Sequence, residues 1–439
     1  MKNIFILLFV FIFSFQFGFS QTFDSSILNQ YFNALDSNQR FMGSVAISEN
    51  GKIIYTNQIG FTDVANQIKP NVYTTYRIGS ISKTFTAVLI FKAVEEKKIK
   101  LSDKLNKFFP QIKNSKIINI SNLLNHSSGI HNFTNDEDYL TYNTQKNSEK
   151  ELLQIFTKMP SDFYPGTKAE YSNTNYVLLS FILQKLYKKS YAELLKEKIT
   201  EPLGLNHTYF GKPISIERNE SYSYTYAGKW VKEYETDMSV PMGAGGIVSN
   251  PVDLTRFADA LFNGKLISKE NLQNMKTLEY DFGMGLFKVP FYKKVGYGHT
   301  GGIDGFSSVL YHFDDNDVSV ALTSNGTNYN NNDIIVAMLS AVYNVPYEIP
   351  DFKTVALKSE DLDKFLGVYS SSEVPLKITI TKNENVLIAQ ATGQASFSLT
   401  AESQNVFSFK QAGIILEFDT ANKTMILKQG GGSYKFIKE

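Results

Sequence analysis

The sequence contains no cysteine, and this absence excludes several kinds of chemistry. The chain can form no disulfide, no thiolate nucleophile and no cysteine-ligated metal site, and it has no N-terminal cysteine for a lipid anchor. Its stability must therefore come from core burial, for which 439 residues are sufficient. A chain of this length is predicted to form two or three domains.

The chain also has little net charge. Its 44 lysines and arginines nearly balance 43 aspartates and glutamates, which leaves a formal charge of +1. No basic field is present to attract nucleic acid. We therefore predict a small-molecule or peptide substrate and no nucleic-acid partner, and the oligomeric state stays open.

Several functional motifs are missing as well. The five histidines show no H-E-x-x-H or comparable spacing, so we predict no metal site. The sequence has neither the G-x-x-x-x-G-K-[ST] loop of nucleotide-binding proteins nor the G-x-S-x-G elbow of α/β-hydrolases. We therefore predict no cofactor.

Among the apolar segments, the one at the N-terminus has the pattern of a signal peptide. Lys2 precedes ten apolar residues, Ile4 to Phe13, and small residues follow at 18 and 20. The run is shorter than the roughly 20 residues that cross a bilayer, and an uncleaved anchor is the alternative interpretation. We predict that residues 1–20 are removed during export, which leaves a periplasmic or secreted protein without a stable membrane span.

The remaining sequence predicts two regions joined by a linker. Residues 21–345 run from strands to many helices, then to strands and a closing helix, which predicts an α+β domain whose sheet is built from both ends. Residues 346–360 are predicted to be the linker. In residues 361–439 about eight short strands predict a small barrel or sandwich.

Within the first region, the apolar pattern predicts individual elements. Asn50-Gly51 supplies a tight turn for a hairpin at 41–60, and an Asn-rich loop is predicted at 325–333. A second hairpin is predicted at 306–313 and 318–323. Helices are predicted at 80–98, 175–187, 252–262 and 334–342.

The first motif with catalytic chemistry is Ser80-Ile81-Ser82-Lys83 at the start of a predicted helix. Residues three apart lie on the same helix face, so the serine and the lysine are neighbours. A serine hydroxyl needs a base to become a nucleophile, and lysine can be that base once burial lowers its pKa. A helix cap beside a surface charge is the alternative interpretation.

Two further motifs follow in the chain. Tyr171-Ser172-Asn173 offers a phenol for proton transfer and an amide for holding a substrate carbonyl. In His299-Thr300-Gly301-Gly302 the glycines permit close approach of a substrate backbone, and the N–H groups of Gly302 and Ser80 could form an oxyanion hole. The alternative interpretations are a loop tyrosine with a helix-capping asparagine, which fits the first motif better when it is taken alone, and a glycine-rich turn with a hydrogen-bonded histidine. We interpret His126 as structural.

The three motifs in this order resemble the serine β-lactamase and penicillin-binding protein superfamily, especially its class C-type branch of D,D-peptidases, D-aminopeptidases and esterases. That family uses a Ser-x-x-Lys, a Tyr-x-Asn and a Lys/His-Thr-Gly element. The likeness covers roughly residues 25–345, and residues 355–439 more weakly resemble an appended lipocalin-like β domain. Flanking segments that also resemble the family are Arg77-Ile78-Gly79-Ser80, Leu123-Leu124-Asn125-His126-Ser127-Ser128-Gly129, Tyr164-Pro165-Gly166, Pro202-Leu203-Gly204 and Gly243-Ala244-Gly245-Gly246-Ile247-Val248-Ser249.

The resemblance implies a transpeptidase-like catalytic domain, with an antiparallel sheet, flanking helices and a helical subdomain. It also implies roles for the motif residues. Ser80 would be the nucleophile, with Lys83 and Tyr171 as acid–base groups, and either of these two could take the serine proton. Substrate would contact Asn173, His299, Thr300, Gly301 and Gly302.

The third motif departs from the usual lactamase pattern. His299 stands where a lysine would hold a substrate carboxylate, and Gly302 lacks a hydroxyl donor. We therefore expect a peptidase or esterase rather than a β-lactamase. The alternative is a non-catalytic peptide or cell-wall sensor on the same scaffold, whose expected sign, loss of Ser80, Lys83 or Tyr171, is not seen.

Overall fold

The computed structural model describes residues 23–352, 357–394, 396–409, 412–429 and 432–439. The predicted signal peptide, residues 1–20, lies outside the described residues. Among those that are described, no helix is both long and apolar enough to cross a membrane.

The helices of the described residues are α1 Ser26–Ser37, α2 Ser82–Glu95, α3 Ile120–Leu124, α4 Tyr139–Tyr142, α5 Glu149–Lys158, α6 Asn173–Tyr187, α7 Tyr191–Leu195, α8 Glu201–Leu203, α9 Met242–Gly245, α10 Pro251–Phe262, α11 Lys269–Lys276, α12 Asn331–Val342 and α13 Ser359–Leu362. The strands are β1 Phe41–Glu49, β2 Lys52–Ile59, β3 Tyr76–Arg77, β4 Tyr209–Phe210, β5 Tyr224–Tyr226, β6 Trp230–Lys232, β7 Ile247–Ser249, β8 Phe287–Phe291, β9 Lys294–Ile303, β10 Phe306–Phe313, β11 Val318–Thr327, β12 Gly367–Ser370, β13 Lys377–Asn383, β14 Val386–Ala391, β15 Phe397–Ser398, β16 Thr400–Ala401, β17 Val406–Phe409, β18 Ile414–Asp419, β19 Thr424–Gln429 and β20 Gly432–Lys438.

The main sheet has the order β2-β1-β11-β10-β9-β8 and is antiparallel. Strand β1 from the start of the region pairs with β11 from its end, with Val45 opposite Leu322. The predicted α+β sheet built from both ends is therefore confirmed. Helices α1 and α12 contribute to one apolar core against the sheet, and α2, α6 and α10 contribute to another.

Helix α2 is the central element of the helical part. All of its residues from Ser82 to Phe91 are buried, and it contacts α6 and α9. A helix that is apolar on every side belongs inside a core rather than at the surface. The sequence of α2 therefore fixes its first turn, which carries the Ser-x-x-Lys motif, in the interior between the sheet and the other helices.

The boundaries of some predicted elements differ from the prediction. The expected Asn-rich loop at 325–333 was wrong in extent, because β11 continues to Thr327 and α12 begins at Asn331. Asn325 donates from its side chain to two backbone carbonyls, and Asn330 caps the helix by accepting from the backbone of Asn332. Asparagine is a good capping residue, so its enrichment marks a helix start as well as a loop.

The C-terminal strands form an antiparallel sheet of nine strands within the described residues, with the order β15-β14-β13-β12-β20-β19-β18-β17-β16. Its two outermost strands are separated by Leu399 alone, so the sheet is nearly closed. Its apolar core is separate from the cores of the main region and includes Leu362, Tyr369 and Phe436. The predicted barrel is confirmed, and its likeness to lipocalins stays a prediction.

Candidate active site

Ser80 and Lys83 lie together at the start of α2. Ser80 occupies a 3₁₀ turn, Gly79–Ile81, which runs directly into the helix. The Lys83 Nζ atom lies 2.9 Å from the Ser80 Oγ atom. The spacing of three residues thus brings the two groups into hydrogen-bonding contact, as the sequence predicted.

Lys83 is fully buried, and it has hydrogen-bonding partners on three sides. In addition to Ser80, its Nζ atom lies 2.7 Å from Asn173 Oδ1 and 2.7 Å from the Ala244 carbonyl oxygen. Burial lowers the pKa of Lys83 well below its usual value. A neutral amine donates two hydrogen bonds, which the amide and the carbonyl accept, and its lone pair then points to the serine hydroxyl.

Tyr171 contacts the same lysine from another side. The Lys83 Nζ atom lies 4.8 Å from the centre of the Tyr171 ring. Burial raises the pKa of Tyr171, although a side-chain hydrogen bond with Ser80 acts in the opposite direction. The phenol therefore remains protonated at neutral pH and can donate a proton as well as relay one.

His126 fixes the segment that carries Tyr171. Its ring stacks on the Tyr171 ring at 4.5 Å between centres, and its Nδ1 atom accepts a hydrogen bond from the Ser172 backbone N–H. Its carbonyl oxygen accepts another from Glu170 N–H. Burial lowers the pKa of His126 well below its usual value, so the ring stays neutral and Nδ1 keeps its lone pair. The residue that we interpreted as structural thus orients Tyr171.

Asn173 begins α6 and is held by three interactions. Its backbone N–H donates to Asn132 Oδ1, its Nδ2 donates to Thr134 Oγ1 at 3.0 Å, and its Oδ1 accepts from Lys83. These contacts fix which way the amide points, with its oxygen toward the lysine and its nitrogen toward the cleft wall formed by Thr134.

Glycines allow β9 to approach the Ser80 turn closely. A Cβ atom on Gly79 would lie 2.7 Å from the Gly302 nitrogen, and one on Gly301 would overlap the Ile78 carbonyl oxygen. The φ angle of Gly79 is +48°, which also favours glycine. In the described register β8 pairs with β9 only as far as Gly298, so the edge of residues 299–303 is not covered by β8. The Gly302 backbone therefore adjoins the Ser80 turn, as an oxyanion hole requires.

His299 lies behind this edge rather than in the cleft. It is buried against the Phe287 ring, 4.7 Å between centres, and its Nδ1 atom donates to the Thr300 carbonyl oxygen. Burial, and secondarily the nearby Lys83, lower the pKa of His299 to about 3. The ring is therefore neutral at physiological pH. The resemblance implied that His299 and Thr300 contact the substrate; His299 is buried, whereas Thr300 is exposed.

A cleft of about 760 Å³ opens beside the serine. Of the sequence-predicted residues, Ser80, Asn173 and Gly302 line it. Lys83 and His299 are buried and do not line it, and neither does Tyr171, which is partly buried. The other lining residues include Phe133, Thr134, Tyr139, Leu140, Asn143, Glu233, Tyr234, Thr236, Ile303 and Asp304. A volume of this size accommodates a small molecule or a few residues of a peptide.

Several of these cleft and support residues carried no signal in the sequence. Glu233 and Tyr234 follow β6, more than 150 positions after Ser80, and only the tertiary fold brings them to the serine. Arg77 stood in a family-like segment, but its pairing with Asp304 at 2.8 Å could not be read from the spacing. A covariation signal between such positions would be needed to find them.

One group of potential metal ligands lies outside the cleft. Within the described residues, Asp259, His312 and Asp317 each offer a ligand atom, and these atoms lie within 4.8 Å of one another. Ser319 donates to Asp259 Oδ1 and contacts His312 Nδ1, so its hydroxyl already joins two of the three residues by hydrogen bonds. No spacing rule could have found it, because the three residues come from different elements.

Comparisons with known proteins agree with this arrangement. The family model described as Beta-lactamase matches residues 28–343. Penicillin-binding protein 4* of Bacillus subtilis (strain 168) is 26% identical over 94% of this chain and 98% of its own length. Teichoic acid D-alanine hydrolase of Staphylococcus aureus is 30% identical over 66% of this chain and 72% of its own length.

A solved structure resembles both regions of the chain. The octameric penicillin-binding protein homologue from Pyrococcus abyssi has a TM-score of 0.67 and covers 94% of this chain and 99% of its own. Its sequence identity is 23%, so the likeness is one of fold.

Proposed function

This chain belongs to the beta-lactamase family and is a serine hydrolase, and on that premise we propose that it cleaves an ester or amide bond through an acyl-enzyme on Ser80. The observation that carries the proposal is the buried Lys83 Nζ atom, 2.9 Å from the Ser80 Oγ atom. The proposal extends to location. The apolar run after Lys2 supports export, so the enzyme would act in the periplasm or outside the cell.

Lys83 is the base that takes the serine proton in this proposal. Burial lowers the pKa of Lys83 and raises that of Tyr171, so at neutral pH the lysine is the group with a free lone pair. As the Ser80 oxygen attacks the carbonyl carbon, its proton passes to Lys83. The carbonyl becomes an oxyanion, which the N–H groups of Ser80 and Gly302 receive.

Tyr171 completes the proton path. It can donate its phenolic proton to the leaving group and regain one from the protonated Lys83, whose ammonium lies against its ring. The leaving group departs, and water then attacks the acyl carbonyl and gives its proton back through the same two groups. Ser80 is thereby regenerated with all protons accounted for.

The substrate class follows from the third motif. His299 is buried and neutral, so it cannot supply the fixed cation that holds a substrate carboxylate. Gly302 adds no hydroxyl. One relative is named for hydrolysing D-alanine of teichoic acid and another as a penicillin-binding protein. We propose that this chain is a peptidase or esterase, as the first of these relatives is a hydrolase of D-alanine, and that it turns over β-lactams only slowly.

A covalent probe tests the nucleophile. The mature protein is treated with a fluorophosphonate, digested with trypsin and analysed by mass spectrometry. Cleavage after Arg77 and Lys83 yields a six-residue peptide with two serines, and fragment ions distinguish Ser80 from Ser82. We expect the label on Ser80 and none in Ser80→Ala. A label on another residue, or full turnover by that variant, would contradict the proposal.

Substrate preference is tested separately. The value of kcat/KM for nitrocefin is compared with that for a short-chain p-nitrophenyl ester. We expect the ester to be the better substrate, and nitrocefin hydrolysis at or above the ester rate would refute the preference. His299→Lys is expected to improve turnover of carboxylate-bearing substrates by about 10-fold or more, the value of one charge-assisted hydrogen bond.

A further inference from the structure

Two carboxylates line the cleft beside Ser80 in the described part of the chain, and they differ in their partners. Asp304 accepts from the Arg77 guanidinium at 2.8 Å and from the Thr236 hydroxyl at 2.7 Å, and its side chain is 5% exposed. Its carboxylate is therefore both ion-paired and hydrogen-bonded within the protein. Asp304 and Arg77 serve to support the wall of the cleft.

Glu233 is the other carboxylate of the cleft. Within the part of the chain that the structure describes, its carboxylate has neither an ion pair nor a hydrogen bond, although its backbone N–H donates to the Ser223 carbonyl oxygen. Glu235, two positions on, instead binds Arg77 at 3.2 Å. Of the acidic groups on this segment, Glu233 thus lines the cleft with its charge uncompensated.

Cations are missing from the lining. None of the described residues that line the cleft is lysine, arginine or histidine. Lys232, next to Glu233 in the chain, has its ammonium 3.0 Å from the centre of the Tyr222 ring, and Tyr222 does not line the cleft. Lys83 lies beneath the lining with a lowered pKa. The unpaired charge that faces a substrate is therefore negative.

The same wall offers aromatic and apolar surface. Tyr234 is 84% exposed and Leu140 is 75% exposed, and both line the cleft together with Tyr139. Aromatic faces attract cations, and the exposed apolar carbons can contact a short side chain.

From these contacts we propose that the cleft contains an ammonium-binding subsite formed by Glu233 with Tyr234. The inference rests on the proposed hydrolase function and specifies its substrate: an acyl group that carries a free, positively charged amine, as in an aminoacyl ester or amide. A blocked amine at that position is disfavoured because it would leave Glu233 unpaired. A carboxylate there is disfavoured because it has the same charge as Glu233.

The test compares two substrates that differ only in this amine. Alanine p-nitroanilide is assayed against N-acetylalanine p-nitroanilide, with both the D and the L enantiomers. We expect wild-type kcat/KM to favour the free amine by at least about 10-fold for the preferred enantiomer. Glu233→Gln should lose about that factor on the free amine and stay within about 2-fold on the acetylated compound, since it removes only the charge.

A matched variant controls for net charge. Glu217→Gln removes a carboxylate from an exposed turn outside the cleft, and we expect it to leave both substrates unaffected. Protection of Ser80 from the fluorophosphonate gives a second measurement that needs no turnover. The free-amine compound should slow labelling of the wild type at about 10-fold lower concentration than the acetylated one, and Glu233→Gln should remove this difference.

The outcomes separate the inference from the proposed function. If Ser80 is labelled but neither kcat/KM nor protection favours the amine, or if Glu233→Gln changes nothing, the ammonium subsite is wrong and the hydrolase proposal stands. An equal loss on both substrates in Glu233→Gln would also overturn it, because the residue would then act on folding. Absence of labelling and of turnover in the wild type would overturn both.

Discussion

At the scale of single residues, one buried environment has opposite effects on two acid–base groups. Burial disfavours the charged form of each, so it lowers the pKa of Lys83 and raises that of Tyr171. Burial thus favours the neutral form of both groups, an amine with a lone pair at Lys83 and a phenol with a proton at Tyr171. A base and an acid are thus available together beside Ser80 without a histidine.

The assignment of Lys83 as the base predicts the behaviour of Lys83→Arg. A guanidinium stays protonated and cannot accept the serine proton, so we expect kcat to fall by at least about 100-fold. In the wild type the acylation rate should fall in acid, as pH drops through the lowered pKa of Lys83 and the amine becomes charged. The rate of fluorophosphonate labelling between pH 4 and pH 9 measures both effects. Near-normal activity of the variant would show that Lys83 acts by charge or packing.

Residues of the site differ in how far the sequence could predict them. Ser80 and Lys83 are three positions apart on one helix, so their contact follows from helix geometry alone. Tyr171 and Asn173 were predicted by motif order, but their contacts with Lys83 depend on how α6 packs on α2. Glu233 lies in an irregular segment whose sequence has no recognisable motif. Whether its carboxylate has a partner depends on the tertiary fold and cannot be read from the sequence.

At the scale of elements, the junction between the Ser80 turn and β9 determines the oxyanion hole. Ser308 donates from its hydroxyl to the Ile78 carbonyl oxygen at 2.8 Å, and Gly301 lies directly against the same carbonyl. The distance between the turn and the strand is therefore set by the lack of a side chain at Gly301. A strand glycine often marks such a close approach.

Gly301→Ala is expected to separate the two elements. Its Cβ atom would overlap the Ile78 carbonyl oxygen, so β9 must move away from Ser80, and we expect kcat/KM to fall about 100-fold or more, the effect of losing an oxyanion donor. Gly302→Ala keeps its N–H. Among the described residues other than its chain neighbours, the nearest atom to its Cβ would be the Phe306 carbonyl oxygen at 3.9 Å, so the loss there should be less than about 10-fold. Ester assays with matched circular dichroism spectra compare the two, and equal losses would contradict the steric explanation.

Elements were predicted best where local pattern and burial agree. The hairpin at 41–60 was correct because Asn50 and Gly51 both adopt positive φ angles, 52° and 73°, in its turn. The start of the helix predicted from residue 80 was less accurate, since Gly79–Ile81 forms a 3₁₀ turn before α2. The shape of that turn depends on its contact with β9. Because β9 is distant in the sequence, the apolar pattern around residue 80 carries no sign of this contact.

At the scale of the whole molecule, buried neutral histidines couple stability to pH. Burial lowers the pKa of His299 to about 3 and that of His312 to about 4, against about 6.5 for an unfolded chain. Below pH 6.5 the unfolded state binds protons that the folded state does not. The stability is therefore complete above pH 6.5 and is lost progressively as pH falls toward the folded-state values.

Urea unfolding between pH 7.5 and pH 5 tests this coupling. Each such histidine should cost about 2 kcal/mol at pH 5 relative to neutral pH, because the difference between the states grows by about 1.4 kcal/mol per pH unit. His312 lies away from Ser80, and His312→Gln should reduce the loss of unfolding free energy between pH 7.5 and pH 5 by about that amount. His207→Gln, at a partly exposed histidine, is the control. An unchanged slope in His312→Gln would show that the ring does not titrate differently on unfolding.

The two apolar regions of the chain predict how a shortened protein behaves. The cores around α2 and the main sheet draw on residues up to Phe352, whereas the core of the nine-stranded sheet is formed by residues from Leu357 onward. No apolar cluster of the described residues joins them. Phe352 belongs to the first region, since its ring lies 4.9 Å below the Arg40 guanidinium and 5.6 Å from the Tyr329 ring.

A chain ending at Phe352 should therefore stay folded and keep its reactive serine. All of the groups proposed to act on the acyl bond, from Ser80 to Gly302, lie before that residue, so its fluorophosphonate labelling rate should stay within about 3-fold of the full-length rate. Circular dichroism and the labelling rate are measured on both proteins, with Ser80→Ala as the blank. Larger substrates can still depend on the C-terminal sheet if it limits access to the cleft. A native spectrum without labelling would show that the C-terminal sheet completes the active site, which would make the second region part of the catalytic machinery rather than an appendage to it.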